Sequence, residues 1–409
     1  MEKKDLIMIR ESTAEIYVHN SDKDSIPSKS MNVFYNKKME INRDISNLAI
    51  MAYNELYNPD KLIIIDSMAG TGIGSIRMIK ECQNIQKIYI NDINPLAVEL
   101  IHKNISINNL NNSQIRIIIS RKDANFLFSK IAQKNRMNSE IIIKKPNIIS
   151  IDPFGTPNLY LDSAFKAIQR VNGLMCVTAT DTAVLFGIKP TSCIRKYMSK
   201  PLHTEYCKEV GARILIYLIS RMANINGMGI FPLLTFYANH FIRVFCLTLK
   251  NKHKISNSFE NYGYIVHCRN CNYRKAFKNN PLQFLQECPS CNTIEKMDYT
   301  GPLWVDQMHD KIFINKLIDL NENCGYYNKK RIHKLLKLAS DEINMPISYY
   351  NLHKLCQKLN LPYVPKIGEI IQIIKKKGYK VSRTHFDYLS IKTNMDLKSL
   401  KNCLLEFKN

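Results

Sequence analysis

Short apolar runs alternate with amphipathic stretches over the first half of the chain. Four runs rich in isoleucine, at residues 62–66, 87–92, 115–120 and 147–152, each end at a polar residue, which is typical of buried strands. Helical patterns follow the first two runs. This alternation predicts an α/β, Rossmann-like domain in which the carboxyl ends of the strands bind the ligand.

A glycine-rich loop joins the first of these strands to its helix. Gly70, Gly72 and Gly74 allow a tight turn, so a nucleotide-like ligand can approach the backbone at the helix N-terminus. The spacing differs from the dinucleotide fingerprint Gly-x-Gly-x-x-Gly, because Ser75 and Ile76 follow Gly74. Taken alone, the loop is also compatible with an ordinary turn that binds no ligand.

An acidic residue stands at or just after the end of each of the first three strands. These residues are Asp66, Asp92 and Asp123, and Asp92 lies 22 residues after Gly70, where a carboxylate can accept both ribose hydroxyls. Three acceptors suit S-adenosylmethionine better than a dinucleotide, because its amine, its ribose and its adenine amino group each require one. The pattern therefore predicts an S-adenosylmethionine site at this edge of the sheet.

The fourth strand stops at the sequence Asp152-Pro-Phe-Gly155. A carboxylate and backbone carbonyls at this position can hold an exocyclic amine, so that its nitrogen lone pair faces an electrophile while Phe154 stacks on the ring. The sequence therefore favours amino-group chemistry on a flat base. An ordinary Asp-Pro turn at the end of a strand is the alternative.

A helical pattern with Ile45, Leu48 and Ala52 on one face begins near Asn42. Arg43 then lies in the first turn, where a cation gains nothing from the helix dipole. This arrangement indicates either an anionic ligand beside Arg43 or a merely exposed arginine.

Further strands are predicted beyond the fourth one. They lie at residues 173–179, around residues 230–231 and at residues 241–249, and a helix at residues 210–219 separates the first two. These elements extend the α/β domain to about residue 250.

A basic tail follows, in which residues 321–385 carry thirteen Lys or Arg against four acids. Helical patterns at residues 329–338, 350–359 and 368–377, followed by residues 378–381, predict a small winged-helix-like unit. Such a unit would grip RNA through its backbone and shape, because A-form RNA hides its base edges in a deep groove. A basic protein-docking domain is the alternative.

Two Cys-x2-Cys pairs, Cys268 with Cys271 and Cys288 with Cys291, are separated by sixteen residues. This is the spacing of a zinc ribbon, and four thiolates fill a tetrahedral Zn²⁺ site, so the predicted zinc is structural. Four free cysteines are the alternative. Residues between the pairs would contact RNA phosphates or form a solvated basic face: Arg269, Tyr273, Arg274, Lys275, Phe277 and Lys278.

The composition indicates a polyanionic partner. The 409 residues include 58 Lys or Arg and 35 Asp or Glu, which gives a net charge of +23. An AT-rich genome, which enriches Lys, Asn and Ile together, is a second explanation.

No apolar run reaches the length of a membrane span, the first residues lack a signal-peptide pattern, and most cysteines are scattered singly. We therefore expect a soluble cytoplasmic protein with no membrane partner.

Several motifs are long and jointly specific. They are Asp152-Pro-Phe-Gly-Thr-Pro157, Val33-Phe-Tyr-Asn36 with Asn42-Arg-Asp-Ile-Ser46, Thr178-Ala-Thr-Asp-Thr-Ala183, Gly211-Ala-Arg-Ile-Leu215 and Gly301-Pro-Leu-Trp304. Together they resemble the archaeal and eukaryotic tRNA guanine-26 N2-dimethyltransferase family, and the resemblance covers nearly the whole chain. It implies methyl transfer from S-adenosylmethionine to guanine N2 in tRNA, giving N2-methyl- and then N2,N2-dimethylguanosine.

The resemblance implies roles for individual residues. Four of them match family positions that bind S-adenosylmethionine: Arg43, Asp92, Asp123 and Ala124. Asp152 matches the acid that engages the guanine amino group, and Phe34 with Phe154 match an aromatic pair that would sandwich a flipped-out guanine.

The chain departs from the family pattern in its glycine loop. The family usually reads Thr-Gly-Ile-Arg-x-Ile-Arg, whereas this chain has Gly74 in place of the first arginine and keeps the second as Arg77. We expect any cofactor contact of the first arginine to be absent or taken over by Arg77.

The implied mechanism is direct displacement, in which guanine N2 attacks the sulfonium methyl while Asp152 holds the amine and accepts its proton. Carbon methylation would require a covalent cysteine at this position, and the nearest candidate, Cys176, lies inside an apolar strand.

Two other hypotheses stay open. One is an amino-methyltransferase of DNA adenine or protein glutamine, although the single proline before Phe154 argues against it. The other is a non-catalytic RNA-binding protein on a methyltransferase scaffold.

We predict four regions along the chain. They are an N-terminal extension at residues 1–30, the methyltransferase domain at residues 31–250, a zinc-ribbon segment at residues 251–320 and a basic tRNA-binding region at residues 321–409. The last two form a smaller α+β C-terminal region. We expect a monomer that needs no protein partner and binds tRNA.

Overall fold

The computed structural model describes residues 6–22, 31–137, 144–278 and 286–408. Within them the strands are Leu6–Glu11 (β1), Ala14–His19 (β2), Leu62–Asp66 (β3), Ile85–Asp92 (β4), Arg116–Arg121 (β5), Ile148–Ile151 (β6), Leu174–Ala179 (β7), Gly229–Ala238 (β8), Phe241–Leu249 (β9), Tyr262–Cys268 (β10), Arg274–Phe277 (β11), Met297–Trp304 (β12), Tyr350–Asn351 (β13), Val381–Arg383 (β14) and Ser390–Thr393 (β15). The helices are Glu40–Tyr57 (α1), Ile73–Glu81 (α2), Pro95–Ile107 (α3), Ala124–Met137 (α4), Asn158–Ala167 (α5), Thr182–Leu185 (α6), Pro190–Tyr197 (α7), Cys207–Ile225 (α8), Lys252–Ser256 (α9), Lys311–Asn323 (α10), Lys329–Asp341 (α11), Leu352–Lys358 (α12), Ile367–Lys376 (α13) and Leu397–Leu405 (α14).

A seven-stranded sheet in the order β5-β4-β3-β6-β7-β9-β8 forms the centre of the α/β domain. The first five strands are parallel, while β9 runs antiparallel to β7 and β8 antiparallel to β9. Successive residues face opposite sides, so Ile64 packs with α1 and α2 while Ile65 packs with α4 and α8. The predicted α/β fold is confirmed.

The N-terminal segment is not an irregular extension. β1 and β2 form an antiparallel hairpin, and Ala14, Ile16 and Val18 are buried in the same core as α1. The prediction missed this hairpin because its two six-residue strands are interrupted by charged side chains on the solvent face. Residues 1–5 and 23–30 of the predicted extension lie outside the described residues.

The predicted boundary at residue 320 falls inside α10. Phe313 and Leu317 of α10, with Ile332 and Leu336 of α11, are buried in the core that also holds α1. These two helices therefore pack on the α/β domain. The predicted zinc-ribbon segment, residues 251–320, begins with the short helix α9.

The last part of the chain has a core of its own. The sheet β13-β15-β14 packs with α12, α13 and α14 around buried Leu355, Ile374, Ile391 and Leu400. α11, α12 and α13 coincide with the three predicted helical patterns, within a few residues at each end. No helix among the described residues combines the length and the apolarity that crossing a membrane requires.

Candidate functional site

A cleft opens at the carboxyl edge of the central sheet, where β3 and β6 end. Its lining includes four predicted site residues and two that the sequence analysis did not assign: Phe34, Arg43, Asp66 and Asp152, with Asn42 and Arg243. The sheet order explains why Asp66 and Asp152 lie close together, because β3 and β6 are neighbours. β4, which ends at Asp92, lies on the other side of β3.

Asp66 is the acid at the end of β3. Its side chain is buried and accepts a hydrogen bond of 2.6 Å from the Ser75 hydroxyl at the start of α2. Burial, together with the nearby charges of Asp152 and Asp92, raises the pKa of Asp66 to about 6. Gly74 lies beside it, since a Cβ there would stand 3.7 Å from the Asp66 Oδ2 atom. The residue that replaces the family arginine thus leaves Asp66 accessible from the cleft.

Asp92, at the end of β4, is fixed by backbone donors. It accepts hydrogen bonds of 2.8 Å from the Gly70 amide and 2.9 Å from the Asn94 amide. Burial raises the pKa of Asp92, and these two bonds oppose the rise. Gly70 needs its lack of a side chain, because its φ is +56° and a Cβ would meet the Phe34 carbonyl oxygen at 2.8 Å. Gly70 thereby lies between the Asp92 carboxylate and the Phe34 backbone.

Asp123 lies farther along the same edge, after β5. It is exposed and accepts hydrogen bonds from the amides of Asn125 and Phe126 in the first turn of α4, while Ala124 is buried. It therefore caps α4. Neither Asp123 nor Ala124 lines the cleft that holds Asp66 and Asp152.

Asp152 is held by a side chain that the sequence analysis passed over. The Asn42 amide nitrogen donates a 3.1 Å hydrogen bond to Asp152 Oδ2. Asn42 is only 3% exposed, and its Oδ1 atom, also buried, has no hydrogen-bond partner although the residue lines the cleft. An unpaired buried acceptor costs about 1–3 kcal/mol, so this atom is poised to receive a donor from a ligand.

Arg243 lies beneath Asp152 on β9, next to the edge strand β8 of the central sheet. It is 2% exposed and donates to the hydroxyls of Thr178, Ser46 and Ser150 at 2.6, 3.1 and 3.3 Å. Burial raises the pKa of Asp152, while the charge of Arg243 and the Thr178 hydroxyl oppose the rise. A visible signal was the single cation within the apolar stretch of residues 241–249.

The two arginines predicted to contact the cofactor differ in position. Arg43 lines the cleft, but its anionic partner is Glu11 of β1, at 2.6 and 2.5 Å. Arg77 is fully buried and bonded to Glu11, Asp44 and Glu81 at 2.6 to 2.9 Å. Arg77 does not line the cleft, because its guanidinium is buried and occupied by three carboxylates.

Phe34 and Phe154 are neighbours but do not form an open sandwich. Their ring centroids are 4.7 Å apart and the rings are inclined by 80°. A base stacked between two parallel rings needs about 7 Å, twice the usual contact distance of about 3.5 Å. Phe154 follows the 152–153 turn and is 45% exposed.

The four predicted zinc ligands come together at the end of β10. Their sulfur atoms all lie within 4.8 Å of one another, with 3.8 Å between Cys268 and Cys291 and 3.6 Å between Cys271 and Cys288. Sulfurs on a tetrahedral Zn²⁺ with bonds of about 2.3 Å are about 3.8 Å apart. The backbone amides of Tyr273 and Ser290 also donate to two of these sulfurs, as thiolates require. The donor set and its spacing fit a structural zinc ion.

The fold of the whole chain is similar to that of a solved structure, Trm1 from Pyrococcus horikoshii in complex with S-adenosyl-L-methionine. The TM-score is 0.81 at 30% sequence identity, and the match covers 98% of this chain and 100% of that one. The mixed sheet with its carboxyl-edge acids, together with this likeness, defines an α/β, Rossmann-like methyltransferase.

The family model for N2,N2-dimethylguanosine tRNA methyltransferase matches residues 14–405. Two curated relatives carry the name tRNA (guanine(26)-N(2))-dimethyltransferase. The one from Methanosphaera stadtmanae is 36% identical over 99% of this chain and 98% of its own length, and the one from Methanobrevibacter smithii is 36% identical over 91% of both. The chain belongs to the N2,N2-dimethylguanosine tRNA methyltransferase family.

Proposed function

We propose that the protein transfers methyl groups from S-adenosylmethionine to the exocyclic N2 of guanine 26 in tRNA, giving N2-methyl- and then N2,N2-dimethylguanosine. One observation carries the proposal: in a chain of this family, the Asp152 carboxylate and the Asp66 carboxylate open onto the same cleft. One acid serves the amine of the base and the other serves the cofactor.

The cofactor would be held along the carboxyl edge of the sheet. Asp66 would accept a hydrogen bond from the methionine amine, and Asp92 would accept hydrogen bonds from the ribose hydroxyls. Asp123 and the Ala124 backbone would lie at the adenine. Arg43, although paired with Glu11, lines the cleft and would complete the cofactor site. When bound, S-adenosylmethionine supplies an electrophilic methyl group.

Asp152 and Asn42 would orient the amine of the guanine. A primary amine has two N–H groups, and the cleft offers two acceptors for them, Asp152 and the unpartnered Asn42 Oδ1. Both hydrogens held in this way leave the nitrogen lone pair free to face the methyl group. Asp152 would then accept a proton as the new bond forms, and the positive charge of Arg243 beneath it opposes the rise in the Asp152 pKa that burial causes. Phe34 and Phe154 would part to stack on the base.

Asn42 provides a test of this positioning. We expect Asn42→Ala to lower kcat by about 10- to 100-fold, because the amine and Asp152 both lose a hydrogen-bond partner. Asn42→Asp keeps an acceptor but places a second carboxyl beside Asp152, which raises the Asp152 pKa further. We therefore expect the acid limb of its kcat profile to move to higher pH. A kcat profile unchanged in both variants would contradict the assignment.

Asp66 makes cofactor binding dependent on pH. Because its pKa is raised to about 6, the carboxyl is ionised above that pH and neutral below it. A cationic amine binds the ionised carboxylate better than the neutral carboxyl. The affinity for S-adenosylmethionine should therefore reach its highest value near pH 7 and fall by up to about tenfold per pH unit below pH 6. Calorimetric titration between pH 5 and 7 measures this change. Asp66→Asn should bind more weakly with little pH dependence, and a slope that persists in it would exclude Asp66 as the source.

We also propose that Zn²⁺ occupies the four-cysteine site as a structural ion, and that α11 to β15 form a winged-helix-like unit that contacts tRNA. The order of helices and strands from α11 to β15 supports the second assignment, since the hairpin β14–β15 follows α13 as a wing follows its recognition helix.

The substrate class separates this function from its alternatives. The protein is incubated with methyl-labelled S-adenosylmethionine and unmodified tRNA, double-stranded DNA or a cell protein extract. Label in tRNA alone supports the proposal. Label in DNA or protein would support another amino-methyltransferase, and absence of label in all three would favour a non-catalytic RNA-binding protein.

A further inference from the structure

Two exposed lysines stand at the entrance of the cleft. Lys37 and Lys38 follow Asn36, which lines the cleft, and both side chains are exposed to solvent. The Lys38 carbonyl accepts a 2.7 Å hydrogen bond from the side chain of Asn239, in the turn between β8 and β9. The entrance of the cleft is therefore hydrogen-bonded to the turn between β8 and β9, the last two strands in the sheet order.

Asn239 links this turn to the exposed face of α11. Its Oδ1 atom accepts a 2.8 Å hydrogen bond from Arg331 in the first turn of that helix. The solvent face of α11 carries four cations: Lys330, Arg331, Lys334 and Lys337. Like charges three or four residues apart, and cations in a first turn that holds no acid, each cost a few tenths of a kcal/mol. An anionic partner would remove this cost.

Two lysines of other elements contact the loop between β14 and β15. The Lys334 ammonium lies 4.4 Å from the centroid of the Tyr388 ring, which is 40% exposed. Lys208 of α8 donates a 3.1 Å hydrogen bond to the Phe386 carbonyl and lies over Tyr237, close to the same turn of β8 and β9. The acid of this loop, Asp387, already accepts hydrogen bonds from Asn351, Leu389 and Ser390.

We propose that a basic strip, formed by Lys37, Lys38, Arg331, Lys334, Lys208 and the Tyr388 ring, binds the phosphate backbone of the RNA on one side of the base held in the cleft. The strip is continuous with the cleft through Asn36 and joins residues as distant in sequence as Lys37 and Tyr388, which are 351 residues apart. Hydrogen bonds and the contact between Lys334 and the Tyr388 ring join them into one surface. Lysine and arginine supply the backbone contacts, and an exposed tyrosine beside them offers a stacking face for an unpaired base. The inference rests on the proposed function, since it assumes that the base belongs to RNA.

The test compares two triple variants with the same loss of charge. The strip variant is Lys37→Gln, Lys38→Gln and Lys334→Gln. The control variant is Lys80→Gln, Lys103→Gln and Lys130→Gln, three exposed lysines on α2, α3 and α4 away from the strip. The Kd for an unmodified tRNA transcript is measured by filter binding over a series of salt concentrations, and the Kd for S-adenosylmethionine is measured in parallel.

We expect the strip variant to bind tRNA at least tenfold more weakly than the wild type. The slope of log Kd against log salt should fall by about 2 to 3, because each lost phosphate contact contributes about 0.7 to 0.9. The control should stay within about threefold, and the Kd for S-adenosylmethionine should be the same in both variants if the fold is intact. Equal tRNA affinity in the strip and control variants would overturn the strip assignment.

The failure of the strip is distinguishable from failure of the proposed function. If the wild type methylates tRNA while both triple variants bind it equally, only the strip is wrong. If the wild type methylates no tRNA, the proposed function fails, whatever the two Kd values are. Tyr388→Ala gives a second measurement that leaves the charge unchanged, and an unaltered Kd for tRNA in this variant would remove the tyrosine from the strip.

Discussion

Replacing Asp152 with alanine should abolish methyl transfer while leaving the affinity for S-adenosylmethionine within a few fold. The carboxylate is the acceptor that both orients the amine and takes its proton, so its loss removes both contributions. A positioned acid or base contributes about 10²- to 10⁴-fold to the rate, and the added loss of orientation places the expected effect at the upper end of that range. Single-turnover transfer to tRNA measures it.

The matched control for this variant is Asp162→Ala. Asp162 is an exposed acid on α5 that pairs with Lys166, so its removal changes the charge without touching the cleft. Its transfer rate should equal that of the wild type. A large loss of cofactor binding in Asp152→Ala would show that Asp152 serves the cofactor rather than the base.

Replacing Cys268 and Cys271 with serine should release zinc and loosen the C-terminal part of the protein. Arg274 of β11 joins the ribbon to the segment before α8 and to β13. It pairs with Glu205 at 2.9 Å and lies 3.8 Å from the centroid of the Tyr350 ring. Structural zinc contributes about 10–16 kcal/mol of apparent binding free energy in small zinc-finger peptides, so its loss here should be severe.

Elemental analysis and limited proteolysis measure this effect. We expect about one zinc ion per chain in the wild type and background zinc in the double variant, with new cleavage near the ribbon. Cys207→Ser with Cys324→Ser is the control, because both thiols are partly exposed and belong to no four-cysteine group. Unchanged zinc content in the Cys268 and Cys271 variant would rule out the ribbon assignment.

The strands and their terminal acids could be predicted because their signals are local. Isoleucine runs that end at Asp66 or Asp92 state both the element and its polar tip within a few residues. Once the strands are parallel neighbours, those tips must meet at one edge. The cysteine pairs carry a local signal of the same kind.

The partners of these acids could not be predicted because they are distant in sequence. Asn42 meets Asp152 across 110 residues, and Arg243 meets Ser46 across 197. The burial of Arg77 could not be predicted for the same reason, since the sequence does not show that Glu11, 66 residues earlier, folds back onto it. The signal available was indirect, namely a charged residue in a pattern that otherwise predicts full burial.

The measurement that tests the account most directly is the identity of the methylated nucleoside. The purified protein is incubated with methyl-labelled S-adenosylmethionine and an unmodified tRNA transcript, which is then digested to nucleosides and analysed by mass spectrometry. We expect N2,N2-dimethylguanosine in this digest and none when guanine 26 is replaced by adenine. Label on any other nucleoside, or dimethylguanosine that persists in the altered transcript, would contradict it.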